Sequence, residues 1–218
     1  MKITSVLSGG LDSTVLTYKL LAEGLSVRAV SICYGQRHQR ELSYAARTTR
    51  KLGIPWRMID LSVLKDIFGK SSQTSNNVTV PHGHYEEEVM KLTVVPNRNM
   101  ILLAVAAGWA IGRGDEAIAY AAHAGDHAIY PDCRPVFVDA MVRALQLCHY
   151  EPVILLAPFL GITKADIVKL GDSLGVPFAE TWSCYEGGER HCGLCGTCVE
   201  RKEAFVLAGM VDPTEYLA

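Results

Sequence analysis

The stretch Ile3-Thr4-Ser5-Val6-Leu7-Ser8-Gly9-Gly10-Leu11-Asp12-Ser13 decides the fold of this 218-residue chain. Its apolar start predicts a short buried strand, and the helical spacing of apolar residues over 14–21 predicts a helix directly after it. Ser8 to Ser13 therefore forms a strand-to-helix turn. Gly9 and Gly10 can adopt positive φ angles and let a ligand approach the backbone, while free N–H groups at the helix start attract an anion. The stretch predicts a phosphate-binding loop.

A simpler interpretation of this turn is an ordinary glycine turn with Asp12 or Ser13 as the helix N-cap. Such a turn does not require a serine on both sides together with an aspartate, and the spacing fits neither the Walker A motif nor the Rossmann fingerprint. The run from Ser8 to Ser13 instead resembles the PP-loop, Ser-Gly-Gly-x-Asp-Ser, of the ATP pyrophosphatases. This resemblance implies an enzyme that splits ATP between its α and β phosphates and holds the pyrophosphate in the loop. The ATP contacts that it implies are Ser8, Gly9, Gly10, Leu11, Asp12, Ser13, Thr14, Val15, Leu16, Thr17 and Tyr18.

Length and charge narrow the class of protein. The chain is long enough for one sizeable domain, or for one domain with a small appendage. Its formal net charge of −2 argues against a nucleic-acid partner, because such binding depends on neutralising phosphates. The longest apolar run, residues 100–111, is too short to span a bilayer and predicts a buried helix. Since a strand and its loop occupy the first residues, we expect no signal peptide, no membrane partner and a cytoplasmic protein.

Strand and helix patterns alternate after the loop. Strands are predicted at 27–33, 56–61, 116–121 and 153–156, and helices at 39–52, 96–112, 135–148 and from a capping box at Thr163 and Asp166 to about 174. This order predicts an α/β fold with a Rossmann-like parallel sheet flanked by helices. The polar stretch 69–83 predicts a long mobile loop, with a lid as one interpretation.

Ligands of such sheets bind outside the carboxyl ends of the strands. The segments that follow those ends, and therefore build the predicted site, are 8–13, 34–38, 123–134 and 157–164.

Four of the seven cysteines crowd into one C-terminal stretch, as Cys184, Cys192, Cys195 and Cys198. Four thiolates separated by glycine-rich turns suit a closed tetrahedral zinc site, and an iron–sulfur cluster is the alternative. His191 is expected to be a bystander or to donate a hydrogen bond to the ligands.

Two cysteines outside this stretch lie near predicted elements. Cys148 falls in a predicted helix and is expected in the core. Cys133 lies in a predicted site loop, where a role as nucleophile is the alternative to a structural one, although no partner base is visible in the sequence.

Further motifs extend the resemblance over nearly the whole chain. They are Tyr34-Gly35-Gln36-Arg37-His38, Val95-Pro96-Asn97-Arg98-Asn99, the run from His123 to Arg134, Thr163-Lys164, and Thr181-Trp182-Ser183-Cys184. Together they resemble the 7-cyano-7-deazaguanine synthases of queuosine precursor biosynthesis. The resemblance implies ATP-dependent conversion of 7-carboxy-7-deazaguanine and ammonia to the nitrile, through an adenylated acid, an amide and an activated amide.

The same resemblance implies an adenine nucleotide alpha hydrolase-like fold, one structural zinc on the four cysteines, and a homodimer. It also divides the chain into a PP-loop ATP-binding domain, 1–180, and a zinc-binding segment, 181–218, packed on the same domain.

The implied chemistry selects three catalytic candidates. Adenylation brings anionic groups together at the α-phosphate and needs cations there. We expect Lys164 to contact phosphate, Arg98 to bind the substrate carboxylate or a phosphate, and Asp12 to help hold Mg²⁺ on the pyrophosphate. The alternatives are a surface lysine, an arginine that caps carbonyls, and a helix cap.

Other polar residues of the same loops have less definite roles. Asp126 or Asp132 could accept hydrogen bonds from a guanine-like base. His38, His123 and His127 are either proton carriers or hydrogen-bonded core residues, and the sequence leaves both open.

Two further functions share the PP-loop. One is tRNA thiolation with an iron–sulfur cluster on the cysteines, which the near-neutral charge disfavours. The other is a nucleotide sensor with a zinc knuckle and no turnover, which the many polar residues over 125–134 disfavour because they indicate a second substrate pocket.

Overall fold

The computed structural model describes all 218 residues and contains one five-stranded parallel sheet. Its strands are β1 (Lys2–Val6), β2 (Ser26–Cys33), β3 (Trp56–Asp60), β4 (Ala117–Ala119) and β5 (Ile154–Leu156). They lie in the order β3-β2-β1-β4-β5, and every neighbouring pair is parallel. The predicted fold class is confirmed. The strand order reverses between the neighbouring strands β1 and β4, and an open parallel sheet leaves a crevice for a ligand at such a point.

Six α-helices flank the sheet. They are α1 (Leu11–Ala22), α2 (Arg40–Leu52), α3 (Arg98–Ile111), α4 (Pro135–Gln146), α5 (Lys164–Ser173) and α6 (Gly196–Ala208). The first five match the predicted helices within a few residues, and the capping box of Thr163 and Asp166 at the start of α5 is confirmed. Helix α6 was not predicted, because the cysteines and glycines before it obscure the apolar spacing of its buried face.

The core has two layers, one on each face of the sheet. Helices α3 and α4 bury apolar side chains with β4 and β5 on one face, in a cluster that includes Leu103, Ile118 and Met141. Helices α1, α5 and α6 pack on the other face around Val15, Ile167 and Phe205. Phe205 belongs to the last helix, so the C-terminal segment contributes to the main core.

The polar stretch 69–83 is a correction to the predicted mobile loop. Residues 71–74 are buried, and their backbone is bonded to neighbouring segments, with Ser72 N donating to Leu92 O at 2.8 Å and Arg37 N donating to Gln73 O at 2.7 Å. The polar composition reflects satisfied buried hydrogen bonds rather than solvation. The exposed residues of the stretch are Gly69 and Lys70 at its start, residues 76–77, Thr79 and His82.

Cys148 is a second correction, because it is exposed rather than in the core. Helix α4 ends at Gln146, two residues earlier than predicted, and the chain turns outward there so that Leu147 and Tyr150 are also exposed. None of the helices combines the length and apolar content that crossing a membrane requires.

Candidate active site

A cavity opens at the carboxyl ends of β1, β2 and β4, where the crevice was expected. It encloses about 1100 Å³ of space not filled by protein, part of it open to solvent. Its walls come from the loop after β1, the end of β2, the start of α3, residues 120–122 after β4, Lys164 at the start of α5, and 182–185 in the C-terminal segment. Six parts of the chain that are separated in sequence therefore meet at one site.

The Ser-Gly-Gly loop is held in shape by its own serines. Ser8 Oγ lies 3.0 Å from Ser13 Oγ and accepts a hydrogen bond from Gly10 N at 3.1 Å. Gly10 occupies the N-cap position of α1 and no side chain caps this helix, so the N-cap interpretation of Asp12 and Ser13 is wrong. The N–H groups of Leu11 and Ser13 donate to no protein acceptor, which leaves an anion site at the helix start.

Gly9 has the positive φ that was expected, whereas Gly10 has a φ of −74°. The φ of Gly9 is +96°, and a Cβ there would lie 2.1 Å from Glu41 O and 2.7 Å from Ala45 N. The missing side chain allows close packing of the loop against the backbone of α2.

The predicted ATP contacts divide into two groups. Ser8, Gly10, Leu11, Asp12 and Ser13 line the cavity. Beyond the first helical turn, Val15 and Leu16 are in the core, Thr17 bonds to Ser13 O, and Tyr18 packs beside the core. The helix carries these later side chains away from the cavity.

Lys164 joins two carboxylates at the cavity wall. Its Nζ lies 3.1 Å from Asp12 Oδ2 and 2.7 Å from Glu200 Oε2. Burial raises the pKa of Asp12, but the nearby Lys164 and His123 outweigh it and hold the pKa below the usual range. Burial alone would lower the pKa of Lys164, and the two carboxylates raise it above its ordinary value. The ammonium is thus kept charged beside the anion site.

His123 lies behind this pair and is almost completely buried. Its Nδ1 accepts a hydrogen bond from Gly125 N at 3.1 Å, so the ring proton is on Nε2. Nε2 faces three carboxylates, 3.7 Å from Asp126, 3.7 Å from Glu200 and 4.0 Å from Asp12. The N–H of the ring therefore partly offsets the negative charge of these three carboxylates.

Arg98 lines another part of the cavity. It follows Asn97, which has a left-handed backbone with φ of 59°, and it begins α3. Its guanidinium donates to Gln73 Oε1 at 3.3 Å and to Asn99 Oδ1 at 3.2 Å, and lies 5.6 Å from the centre of the Tyr130 ring. No carboxylate of the protein forms an ion pair with it, so the charge is available to a ligand.

The remaining candidates separate into cavity and structural residues. Asp126 lines the cavity, whereas Asp132 accepts from Asn99 N at the start of α3 and does not line it. His38 lines the cavity and His127 does not. Cys133 accepts a hydrogen bond from Asn99, and burial raises its thiol pKa, which is opposite to what a nucleophile needs.

Sequence reasoning missed three polar residues of the site. Glu200 is on the unpredicted helix α6, Gln73 is in the stretch expected to be a mobile loop, and Glu41 is in the first turn of α2. Only Glu41 carried a usable signal, because it follows His38, a residue of a predicted site segment, by three residues at the start of a predicted helix.

The four predicted cysteine ligands converge. The Sγ atoms of Cys184, Cys192, Cys195 and Cys198 all lie within 4.8 Å of one another, and those of Cys192 and Cys198 are 3.9 Å apart. Sulfurs bound at about 2.3 Å to one tetrahedral ion are about 3.8 Å apart, whereas a cluster binds each thiolate to a different iron and spaces them more widely. Backbone N–H groups of 192, 194 and 195 donate to these sulfurs. The set fits a single ion.

His191 is not a member of this set. Its Nε2 accepts a hydrogen bond from Ser183 N at 3.0 Å, and its ring packs 4.3 Å from that of Trp182. The expected bystander role agrees with this geometry.

The parallel sheet, the Ser-Gly-Gly loop after its first strand and the uncapped start of α1 define a PP-loop α/β protein. Residues 2–209 match the family model described as "Queuosine biosynthesis protein QueC". The chain belongs to this family of enzymes.

Two relatives of the chain carry the same name. A protein of Methanoregula boonei is 54% identical over 99% of both chains, and one of Rhizobium meliloti is 54% identical over 99% of this chain and 92% of its own. Both are named 7-cyano-7-deazaguanine synthase.

Solved structures of PP-loop proteins share the fold. The U34-tRNA thiolase NcsA of Methanococcus maripaludis is 16% identical with a TM-score of 0.50, over 100% of this chain and 74% of its own. A 4-thiouridine synthetase solved with RNA and ATP is 17% identical with a TM-score of 0.50, over 95% of this chain and 52% of its own. At this identity the likeness shows the fold alone.

Proposed function

We propose that the protein converts 7-carboxy-7-deazaguanine and ammonia to 7-cyano-7-deazaguanine at the expense of ATP. The observation that carries the proposal is the Asp12–Lys164 pair, 3.1 Å apart beside the uncapped start of α1, in a cavity that also contains the unpaired cation Arg98. One end of the cavity suits a pyrophosphate and the other suits a carboxylate.

The first step joins the acid to AMP. A carboxylate oxygen of the substrate attacks the α-phosphorus of ATP, and the bond to the β-phosphate oxygen breaks to release pyrophosphate. Arg98 binds and orients the carboxylate through its planar fork. Lys164 and the free N–H groups of Leu11 and Ser13 stabilise the charge that grows on the departing phosphates.

The second step forms an amide and the third forms the nitrile. Ammonia attacks the acyl carbon, AMP leaves, and a proton is lost to give the primary amide. The amide oxygen then attacks the α-phosphorus of a second ATP and pyrophosphate leaves. Loss of one N–H proton gives the adenylated imidate, and loss of AMP with its oxygen and of the second N–H proton leaves the carbon–nitrogen triple bond.

Two metal ions accompany this function. The Oδ1 atom of Asp12 is buried without a hydrogen-bond partner, which fits a ligand position for Mg²⁺. This ion would neutralise phosphate charge. The four cysteines would hold one structural Zn²⁺ that organises the C-terminal segment without entering the reaction.

Residues 1–180 would be the ATP-binding domain and 181–218 the zinc-binding segment. The enzyme would act as a cytoplasmic homodimer on small molecules, without a nucleic-acid or membrane partner.

The test is incubation of the zinc-loaded protein with 7-carboxy-7-deazaguanine, ammonium and Mg-ATP, followed by mass spectrometry. We expect the nitrile, with two AMP formed for each molecule. Absence of nitrile with the metal intact would contradict the function. In a separate reaction with tRNA and a sulfur donor, a thiolated tRNA product would instead support the thiolase, and ATP binding without AMP formation would support the sensor.

A further inference from the structure

Glu41 is a buried carboxyl group that the proposed reaction leaves unused. It lies in the first turn of α2, lines the cavity, and its side chain is only 11% exposed. Its Oε1 accepts a hydrogen bond from Gln36 Nε2 at 3.0 Å, while Oε2 accepts none from the protein. Neither a lysine nor an arginine pairs with it. The nearest ionisable partner is His38, whose Nε2 is 3.6 Å from Oε1.

Burial changes the ionisation of both groups. Burial raises the pKa of Glu41 to about 7 and lowers that of His38 to about 3. His38 is therefore neutral near pH 7 and does not supply the missing charge. A buried acceptor without a donor is costly, so Glu41 is suited to a ligand that brings donors with it.

The position of Glu41 is fixed from two sides. Gln36 holds Oε1, and its own Oε1 accepts from Tyr34 N at 2.9 Å, so the amide is anchored to the end of β2. The backbone of Glu41 packs on Gly9, where the loop has no side chain. The carboxyl group thus has a defined direction relative to the phosphate loop.

Aromatic rings and Arg98 surround this part of the cavity. The Tyr185 ring lies 5.1 Å from that of His38, and Tyr34 and Arg98 line the same cavity. These groups provide flat faces on which a heterocycle stacks.

Two heterocycles of the proposed reaction could occupy the part of the cavity beside Glu41. They are the base of the deazaguanine acid and the adenine of ATP. A guanine-type edge presents two adjacent donors, the ring N–H and the 2-amino group, which match the two oxygens of a carboxylate. An adenine edge presents one donor beside one acceptor, and the acceptor repels a carboxylate oxygen. The two-donor edge fits Glu41 better.

We infer that Glu41 recognises the base of the substrate by accepting hydrogen bonds from its ring N–H and 2-amino group, with Gln36 as the residue that positions it. This assignment rests on the proposed function and identifies what makes that site select a guanine-type base. Arg98 would then bind the carboxylate of the same molecule.

Ligand binding without turnover tests the assignment. Isothermal titration would compare 7-cyano-7-deazaguanine with its analogue lacking the 2-amino group, on the zinc-loaded wild type and on Glu41→Gln. We expect the wild type to prefer the first ligand by about tenfold or more, and Glu41→Gln to reduce this preference to about threefold or less. ATP affinity should change by less than about threefold.

Glu23→Gln, an exposed carboxylate at the end of α1, is the matched control and should preserve the preference. If Glu41→Gln does not fold, Gln36→Ala replaces it, because loss of the anchoring amide should also weaken the preference. An undiminished preference in Glu41→Gln, or a loss confined to ATP binding, would overturn the assignment while leaving the function intact. Failure of the wild type to bind either base would overturn both.

Discussion

At the residue scale, Lys164 is the side chain that connects the parts of the site. It contacts Asp12 from the phosphate loop and Glu200 from α6, at 3.1 and 2.7 Å. Such a buried cation between two carboxylates is costly to disturb, because removal of one partner leaves the others uncompensated. Lys164 and Asp12 were both predicted from sequence, since motif spacing identifies residues next to a loop. Glu200 could not be, because its contact with Lys164 exists only in three dimensions.

Asp12→Ala should abolish AMP formation while the fold is retained. The change removes the carboxylate beside the phosphate loop, and we expect a loss of at least about 100-fold, typical of a lost electrostatic contact in a reaction centre. The measurement is AMP release by chromatography, with the thermal unfolding midpoint as the check on folding.

Asp139→Ala is the control for Asp12→Ala, because it removes an exposed carboxylate on α4. It should leave AMP formation unchanged. Wild-type AMP release by Asp12→Ala would contradict the role of the loop.

His38 and Glu41 should give opposite pH dependences of stability. The pKa of His38 falls from 6.5 to about 3 on folding, so only the unfolded chain binds its proton in that range and stability falls as the pH falls below 6.5. The pKa of Glu41 rises from 4.5 to about 7, so only the folded protein binds its proton in that range and stability increases as the pH falls from 7 to 4.5. In the wild type the two effects oppose each other.

The single variants separate the two effects. Between pH 7 and 5.5, we expect His38→Gln to gain stability relative to the wild type and Glu41→Gln to lose it, by about 1 kcal/mol per pH unit. Urea unfolding at both pH values measures the change. Parallel pH profiles in all three proteins would show that neither group has the ionisation described here.

At the scale of elements, the sequence predicted the five strands and five of the six helices because their apolar periodicity is strong. Two errors in the sequence-based prediction, a mobile loop over 71–74 and the missing helix α6, have the same physical origin. The stretch 71–74 and helix α6 are stabilised by long-range contacts, such as the bonds of Gln73 to Arg98 and the packing of Phe205 in the main core. Local polarity gave no indication of either.

Gly9→Ala should be strongly destabilising, because it affects the contact between the loop and α2. An added methyl would meet the α2 backbone, and a φ of +96° is itself unfavourable for alanine. We expect a loss of about 3 kcal/mol or more in the free energy of unfolding.

Gly53→Ala is a matched control for that change. It also has a positive φ, of 64°, but nothing lies within 4 Å of the added Cβ. A loss of only about 1 kcal/mol is expected there. Equal losses for the two variants in denaturant unfolding would contradict the importance of the contact.

Cys195→Ser should release the metal and destabilise the C-terminal segment. Cys195 is one of the four converging ligands and directly precedes α6, so loss of the metal also removes the anchor at the start of this helix. Metal content measured by mass spectrometry should fall below one zinc per chain, and the unfolding midpoint should fall with it. Cys148→Ser, at an exposed cysteine outside the set, should change neither.

At the scale of the whole molecule, Arg201 joins the C-terminal segment to the rest. Its guanidinium is completely buried and donates to Thr181 Oγ1 at 2.7 Å, Phe178 O at 3.0 Å and Asp212 Oδ2 at 3.1 Å. Phe178 and Thr181 precede the four clustered cysteines in the sequence, and Asp212 follows them. The proposed division at residue 180 therefore crosses a shared hydrogen-bond network.

Arg201→Ala should destabilise the entire protein in one transition. Loss of the cation leaves Asp212 partly buried without its partner, and we expect a cost of about 3–5 kcal/mol. Differential scanning calorimetry would show a single lowered peak, whereas two separate peaks would show that the segment unfolds alone. Lys169→Ala, an exposed lysine on α5, should have an effect near zero.

One contact of the phosphate loop also has a consequence for the protein while it is being made on the ribosome. Trp182 N donates to Gly9 O at 2.9 Å, so a residue in the last fifth of the sequence supports a loop in the first tenth. During translation the loop is made early. The segment that contains Trp182, and the carboxylate of Glu200, are added much later. A nascent chain therefore carries an incomplete nucleotide site, and we expect it to consume no ATP until the ribosome has delivered the segment that closes it.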